Sequence, residues 1–255
     1  MMAMQKPGTI LKRLYDRLES SAKDQSISDL RLGLSYVGVQ LDSGATGIAA
    51  LLPDNTPAGC TLLKEAGTYA GSGVAKVLQY LVDGKNALTL AMGLAAANAL
   101  IEPIEDKSED REATTTFHLQ PGEKVAMVGL FSPLVDRIRR TGAQLTIIEK
   151  NPERLDLLPA EDRLRALKEC DIAIITATTL LNQTFEETMD ALGSPRVAVL
   201  MGPSTPLAAE IFHDTPVTQL GGAVVTDSAR VLQIISEGGG TPALRPYLRF
   251  VNVLL

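Results

Sequence analysis

No tryptophan occurs in this chain, and phenylalanine and tyrosine together make up 4% of its 255 residues. The core must therefore be aliphatic and closely packed. Two cysteines, Cys60 and Cys170, form no CxxC pair, and the two histidines, His118 and His213, lie near neither of them in sequence. That argues against a disulfide framework and makes a reducing cytoplasm the expected compartment. It also leaves few ligands for a soft metal, so no metal site is assigned. HExxH and GxSxG are both missing, which removes the best-known signatures of zinc peptidases and serine hydrolases. With a formal net charge of −6 there is no excess of basic residues to replace the counterions of nucleic acid, so no nucleic-acid partner is expected. The most apolar run, residues 87–101, is shorter than the roughly 20 residues a membrane span requires. It reads as a buried helix, with no membrane partner expected. The first residues carry charges too early and too often for a signal peptide.

What is present divides into two sections. In "GTILKRLYDRLES" the apolar positions Ile10, Leu11, Leu14, Tyr15 and Leu18 mark one helical face. "LRLGLSYVGVQL" then alternates, "DSGATG" supplies turn residues and "IAALLPD" runs on, which predicts a hairpin or short meander. "GSGVAKVLQYLVDG" and "NALTLAMGLAAANALIE" return to helical spacing. The stretch 102–112 holds six acids, two bases and one proline, the composition of a solvated linker. Beyond it, "EKVAMVGLF", "AQLTIIEK", "CDIAIITAT" and "RVAVLMG" are near-continuous apolar runs of the kind buried on both faces of a parallel sheet. Helical segments separate them, near 134–140, 160–168 and 185–192. A fifth strand at "PVTQLGG", a helix at "SARVLQIISEG" and a last strand near "YLRFVNVLL" complete the pattern. The expectation is an α/β protein: a smaller α+β domain (1–101), an acidic linker (102–116) and a Rossmann-like doubly wound parallel sheet (117–255).

In such sheets ligands bind beyond the carboxyl ends of the strands, so the residues just after each run carry the information. After the first comes Gly129-Leu-Phe-Ser-Pro133, where Phe131 and Pro133 replace the later glycines of a dinucleotide fingerprint. That disfavours NAD. Phe131 either packs over the core or stacks on a ligand. Glu149 follows the second strand, twenty residues after Gly129, the offset at which an acid commonly takes ribose hydroxyls. It is also the one carboxylate that can be placed at the strand ends, hence the candidate general acid or base. After the third strand, Thr184 and Glu187 have capping-box spacing, which leaves Thr178 and Asn182 for a ligand. After the fourth stands "GPSTP". Pro206 suits the first turn of a helix with Thr205 as its cap, and Pro203 stiffens the approach at Gly202. Such a loop would present the Ser204 hydroxyl and helix N-terminal amides to an anion. With strand order 3-2-1-4-5, "GPSTP" and "VGLFSP" would face one another across one crevice. In the apolar run 87–101 the only polar side chains are Thr89 and Asn98. Asn98 either ties down a neighbouring loop or points into the interdomain cleft.

Several of these segments together resemble one family: "GLAAANA" with Asn98, "VGLFSP" with Gly129 and Phe131, "IIEKNP" with Glu149, "TTLLNQT" with Asn182, and "GPSTPL" with Ser204 and Thr205. The set is similar to the putative heavy-metal chelation family. The resemblance covers nearly the whole chain and implies an enolase N-terminal-like domain followed by a Rossmann-like domain similar to that of methyltransferases. It also implies an active site in the cleft between them and condensation or hydrolysis in pterin, flavin or metallophore metabolism. A nucleoside-containing ligand such as S-adenosylmethionine fits that picture. The first expectation is an enzyme working on an anionic or nucleoside-like metabolite, by condensation, hydrolysis or group transfer. The ligand-binding set would be Asn98, Gly129, Phe131, Glu149, Thr178, Asn182, Gly202, Ser204 and Thr205. The alternative is a non-catalytic metal or metal-chelate binding protein that depends on Cys60, Cys170, His118 or His213.

Overall fold

A computed structural model describes residues 9–52, 61–102, 117–153 and 155–255. Its helices and strands follow the apolar periodicity closely. The first helix, α1 (Thr9–Leu18), buries Ile10, Leu11, Leu14 and Leu18 as its 3.6-residue spacing requires. Strands β1 (Ile27–Leu32), β2 (Tyr36–Leu41) and β3 (Thr46–Ala50) form an antiparallel meander in that order. The helical stretch that follows is split into α2 (Val74–Leu78) and α3 (Tyr80–Asp83) at Gln79.

Helix α4 (Ala87–Leu100) buries every residue except Thr89 and Asn98. Thr89 belongs to its N-terminal capping box: the Asn86 side chain accepts from the Thr89 amide at 3.0 Å, and the Asn86 amide donates to the Thr89 hydroxyl. The helix lies hard against β3. A Cβ on Gly47 would come within 2.2 Å of both the Ala95 carbonyl oxygen and the Ala99 nitrogen. Only glycine allows that approach.

The second section builds a six-stranded sheet from β4 (Lys124–Val128), β5 (Gln144–Ile148), β6 (Ile172–Thr176), β7 (Val197–Met201), β8 (Gln219–Val225) and β9 (Leu248–Leu254). Around it lie α5 (Ser132–Arg140), α6 (Ala160–Glu169), α7 (Thr178–Leu181), α8 (Phe185–Ala191), α9 (Ser228–Ser236) and α10 (Thr241–Leu244). The strand order is β5-β4-β6-β7-β8-β9, parallel up to β8, with β9 antiparallel at the edge. The mixed α/β architecture of a small antiparallel sheet followed by a larger, mostly parallel one is therefore as expected.

The strand order differs from 3-2-1-4-5, and the reason is chemical. The third strand of the sheet, β6, reads Ile-Ala-Ile-Ile-Thr and is buried on both faces except at Thr176. The second, β5, starts with exposed Gln144 and carries Thr146. The apolar strand takes the inner place and the more polar one the edge.

Alternate residues of β4, β6 and β7 feed two cores. Val125, Met127, Ile172, Ile174 and Val199 pack on one face. Ala126, Val128, Ala173, Ile175, Ala198 and Leu200 face the other, where their cluster continues into Leu14, Leu94 and Ala95 of the first section. Helix α9 packs against β1 and β2, and the Tyr36 hydroxyl meets that of Thr241 at 2.7 Å. Most of the acidic stretch expected as a linker lies outside the described residues. No described helix is long and apolar enough to cross a membrane.

Candidate functional site

The exits of β5, β4, β6 and β7 stand side by side along one edge of the sheet, and each holds residues singled out from sequence. Gly129 leaves β4 at φ +84°, where a Cβ would sit 2.8 Å from the Thr176 methyl. Left-handed backbone and close contact both demand glycine there. Phe131 packs partly buried against the core face of Val125 and Met127, the plainer of its two readings.

Glu149 is 8% exposed, and its carboxylate is occupied. One oxygen accepts from the amides of Lys150 (2.7 Å) and Asn151 (3.1 Å), and the other from that of Leu130 (3.2 Å). It thereby ties the exit of β5 to the exit of β4.

After β6, the hydroxyls of Thr178 and Thr176 pair at 3.0 Å, and the Asn182 side-chain oxygen accepts from the Thr184 hydroxyl at 2.6 Å. The capping box expected for Thr184 and Glu187 does not form, because Asn182 has captured the hydroxyl that would have capped α8.

"GPSTP" also departs from expectation. No helix starts at Pro206. The Thr205 amide closes a turn onto the Gly202 carbonyl at 3.0 Å, with Gly202 at φ +127°, and residues 205–208 run on until a 3-10 turn at Ala209–Phe212. Tertiary contacts have overridden the cap signal. The Ser204 hydroxyl accepts from the Ala50 amide at the end of β3 (2.8 Å), and the Ser204 carbonyl accepts from Asn98 Nδ2 (3.3 Å). Ser204 is a rivet between the two sections, and no helix N-terminus is presented to an anion. Nor do "GPSTP" and "VGLFSP" face each other, since β6 runs between their strands.

Asn98 ties down neighbouring backbone, the first of its two readings. Its Nδ2 also donates to the Ile48 carbonyl at 2.9 Å, so the amide nitrogen is spent on holding β3 and the β7 exit together. Its Oδ1 is buried with no hydrogen-bond partner, and so is the Thr205 hydroxyl. These two residues share the wall of a cavity of about 100 Å³. The β2–β3 turn, the end of α4, the β7 exit and the end of β8 border it, through Thr46, Gly47, Glu102, Leu207 and Val225 among others.

Of the residues singled out from sequence, only Asn98 and Thr205 line this cavity; Gly129, Phe131, Glu149, Thr178, Asn182, Gly202 and Ser204 do not. Glu149 and Gly202 follow strands three places apart, about 14 Å at the usual strand spacing. Sequence reasoning missed Thr46, Gly47 and Glu102. The signal for Gly47 was the "GATG" turn, and Glu102 was read as the first acid of a linker.

Two family models, both described as putative heavy-metal chelation, match residues 15–101 and 112–254. The chain belongs to this family. It is 25% identical over 241 residues to an uncharacterised protein of Methanocaldococcus jannaschii, with 88% of each chain covered. Two crystal structures of family members of unknown function have the same fold. That from Pyrococcus horikoshii has a TM-score of 0.82 at 21% identity, covering 96% of this chain and all of the other. That from Desulfitobacterium hafniense has a TM-score of 0.79 at 21% identity, covering 96% and 99%.

The family's description raises the question of a heavy metal, and the described donors do not fit one. Cys170 is 5% exposed, its thiol donates to the Leu167 carbonyl, and burial pushes its pKa up, away from the thiolate that metals take. His213 is exposed, with Nδ1 at 2.6 Å from the Glu210 carbonyl and Nε2 at 3.2 Å from Asp214. His118 is exposed on a left-handed backbone, φ 45°. Cys60 lies outside the described residues. Among the described residues no three of His, Cys, Asp and Glu come together as a ligand set.

Proposed function

We propose that this member of the putative heavy-metal chelation family binds a small organic metabolite where the first section meets the edge of the six-stranded sheet. On this reading residues 1–101 and 117–255 are two domains, and the cavity beside Asn98 and Thr205 is the working part of the cleft between them. One observation carries the proposal: Asn98 and Thr205 line the same cavity, and each holds a buried polar atom without a partner, Oδ1 and the hydroxyl. An unsatisfied buried polar group costs about 1–3 kcal/mol, and a bound ligand would recover that cost.

Nucleoside-like and pterin-like metabolites remain the classes to test, with condensation, hydrolysis or group transfer as the chemistry. The anionic character expected from sequence loses its main support with the missing helix N-terminus. Glu149, whose carboxylate secures three amides, is assigned a positioning role. A link to heavy metals then runs through an organic chelator.

The test is a thermal-shift screen of the purified chain against two panels. One holds nucleosides, S-adenosylmethionine, pterins and amine and acid metabolites, and the other holds divalent transition metals. A ligand that binds only the folded state at a hundredfold excess over Kd adds about 2.7 kcal/mol of stability. The expected result is a shift with an organic ligand that Thr205→Val abolishes. Shifts with metals alone, lost when Cys170, His118 and His213 are replaced, overturn the proposal in favour of direct metal binding.

A further inference from the structure

From the hydrogen bonding and charge around the cavity, we infer that it takes a hydrogen-bond-donating nitrogen group, an ammonium, amidinium or guanidinium end of its ligand. This deepens the cleft reading above and rests on it. The orientation of the Asn98 amide is fixed because its nitrogen donates to two carbonyls, Ile48 and Ser204. Flipping the amide would set Oδ1 against both carbonyl oxygens. Oδ1 is therefore left as a pure acceptor on a residue that lines the cavity. The Thr205 hydroxyl, 2% exposed and equally unpartnered, can accept as well.

Charge points the same way. Among the described residues lining the cavity there is no Lys, Arg or His, and the one charged side chain is the Glu102 carboxylate, exposed to solvent. A phosphate or carboxylate would find the Asn98 acceptor and a like charge, with only the Thr205 hydroxyl to donate and no counter-ion among the described side chains. A nitrogen cation finds acceptors inside and a carboxylate among the lining residues, and Ala99, Ile101 and Leu207 supply apolar walls for its carbon stem.

Size limits the group further. At about 100 Å³ the cavity is smaller than the 150 Å³ engineered cavity that holds benzene. It accepts a head group of a few heavy atoms, with the rest of the ligand outside. A hard metal ion is the poorer match, because calcium takes six to eight oxygens and among the described lining residues four side chains offer one, those of Thr46, Asn98, Glu102 and Thr205.

The experiment is a nitrogen-15 NMR titration of the full chain with acetamidinium and methylguanidinium as probes. Acetate, inorganic phosphate and calcium are run in parallel at matched ionic strength. The expected result is saturable shifts of the Asn98 side-chain amide and the Gly47 and Ala99 backbone amides with the two nitrogen cations only. Thr205→Val should weaken their binding about tenfold or more, the effect of one hydrogen bond to a charged group. Glu102→Gln, at an exposed site, should weaken it about fivefold at most. Saturable shifts at these residues with acetate, phosphate or calcium in place of the nitrogen cations overturn the inference and leave the cleft reading standing. So does a silent titration while a larger metabolite still stabilises the chain through Thr205. A silent titration with no Thr205-dependent ligand overturns both.

Discussion

Ser204 and Thr205 are adjacent, each is 2% exposed, and each carries one hydroxyl, yet removing those hydroxyls should move stability in opposite directions. In Ser204→Ala the Ala50 amide loses the acceptor it reaches at 2.8 Å. A buried N–H left unpaired costs about 1–3 kcal/mol, so the variant should melt several degrees below the parent. In Thr205→Val nothing is orphaned, because the hydroxyl has no partner to lose. A methyl of nearly the same shape removes the desolvation cost of a buried, unbonded hydroxyl, itself about 1–3 kcal/mol on mutational scales. Allowing for imperfect repacking, a gain of about 1 kcal/mol is expected, which raises the melting temperature of a chain this size by about 2–4 °C. The assay is thermal and urea unfolding of the three proteins side by side, without ligand. If Thr205→Val is destabilised by as much as Ser204→Ala, its hydroxyl has a partner in the free protein. The main support for a ligand site at this cavity then disappears.

Three further outcomes follow from the packing and the charges. Gly47→Ala drives a Cβ into the backbone of α4 at 2.2 Å. Overpacking against backbone exceeds the usual 1–3 kcal/mol, so this variant should lose about 3 kcal/mol or more in urea unfolding, and a near-neutral result would refute the close approach. Glu149→Gln replaces one of two acceptor oxygens by a donor facing backbone amides. It should cost about 1–3 kcal/mol and speed hydrogen exchange at Leu130, with the cavity residues unaffected. Glu123 forms a two-pronged pair with Arg196 at 2.7 and 2.9 Å, and this guanidinium, helped by the Gln120 amide, holds its carboxyl below the ordinary range. A lowered folded-state value means that the pair's contribution is complete above the unfolded carboxylate pKa and is lost as pH falls through the folded one. Arg196→Met should therefore flatten the acid limb of urea midpoint against pH, and an unchanged slope would count against the pair.

Element type was readable from the sequence wherever one periodicity ran without competition, as in α1, α4 and β6. Failures came where two local signals competed or where a distant partner intervened. Thr184 sat within reach of both a backbone cap and the Asn182 side chain, and spacing alone does not rank them. The "GPSTP" loop carried a sound helix-start signal. Its serine, however, is bonded to β3 and α4, 154 and 106 residues away in sequence, and no local pattern encodes that. Strand order was legible after all: the polar content of "QLTII" against "IAIIT" marks which strand belongs at the edge, provided that burial is weighed before topology is assumed. Of the site, Asn98 and Thr205 were visible as polar residues in apolar or turn surroundings. Glu102 was hidden by the acidic run it begins.

The residues at the join of the two sheets perform two tasks, and separating them indicates where function lies. Ser204 and the Asn98 nitrogen are fully used in holding β3, α4 and the β7 exit together. A joint that did nothing else would gain from spending or removing the remaining polar atoms, and valine at 205 would do so at once. The chain instead keeps an acceptor and a hydroxyl unspent on two residues that line one cavity. Buried polar groups left unsatisfied are candidates for places where stability has been given up for something else. The buried Cys170 thiol shows no such cost, since it donates to the Leu167 carbonyl, and the two imidazoles are exposed. The physical case for the proposed function therefore rests on the oxygen acceptors of Asn98 and Thr205, the residues that line the cavity.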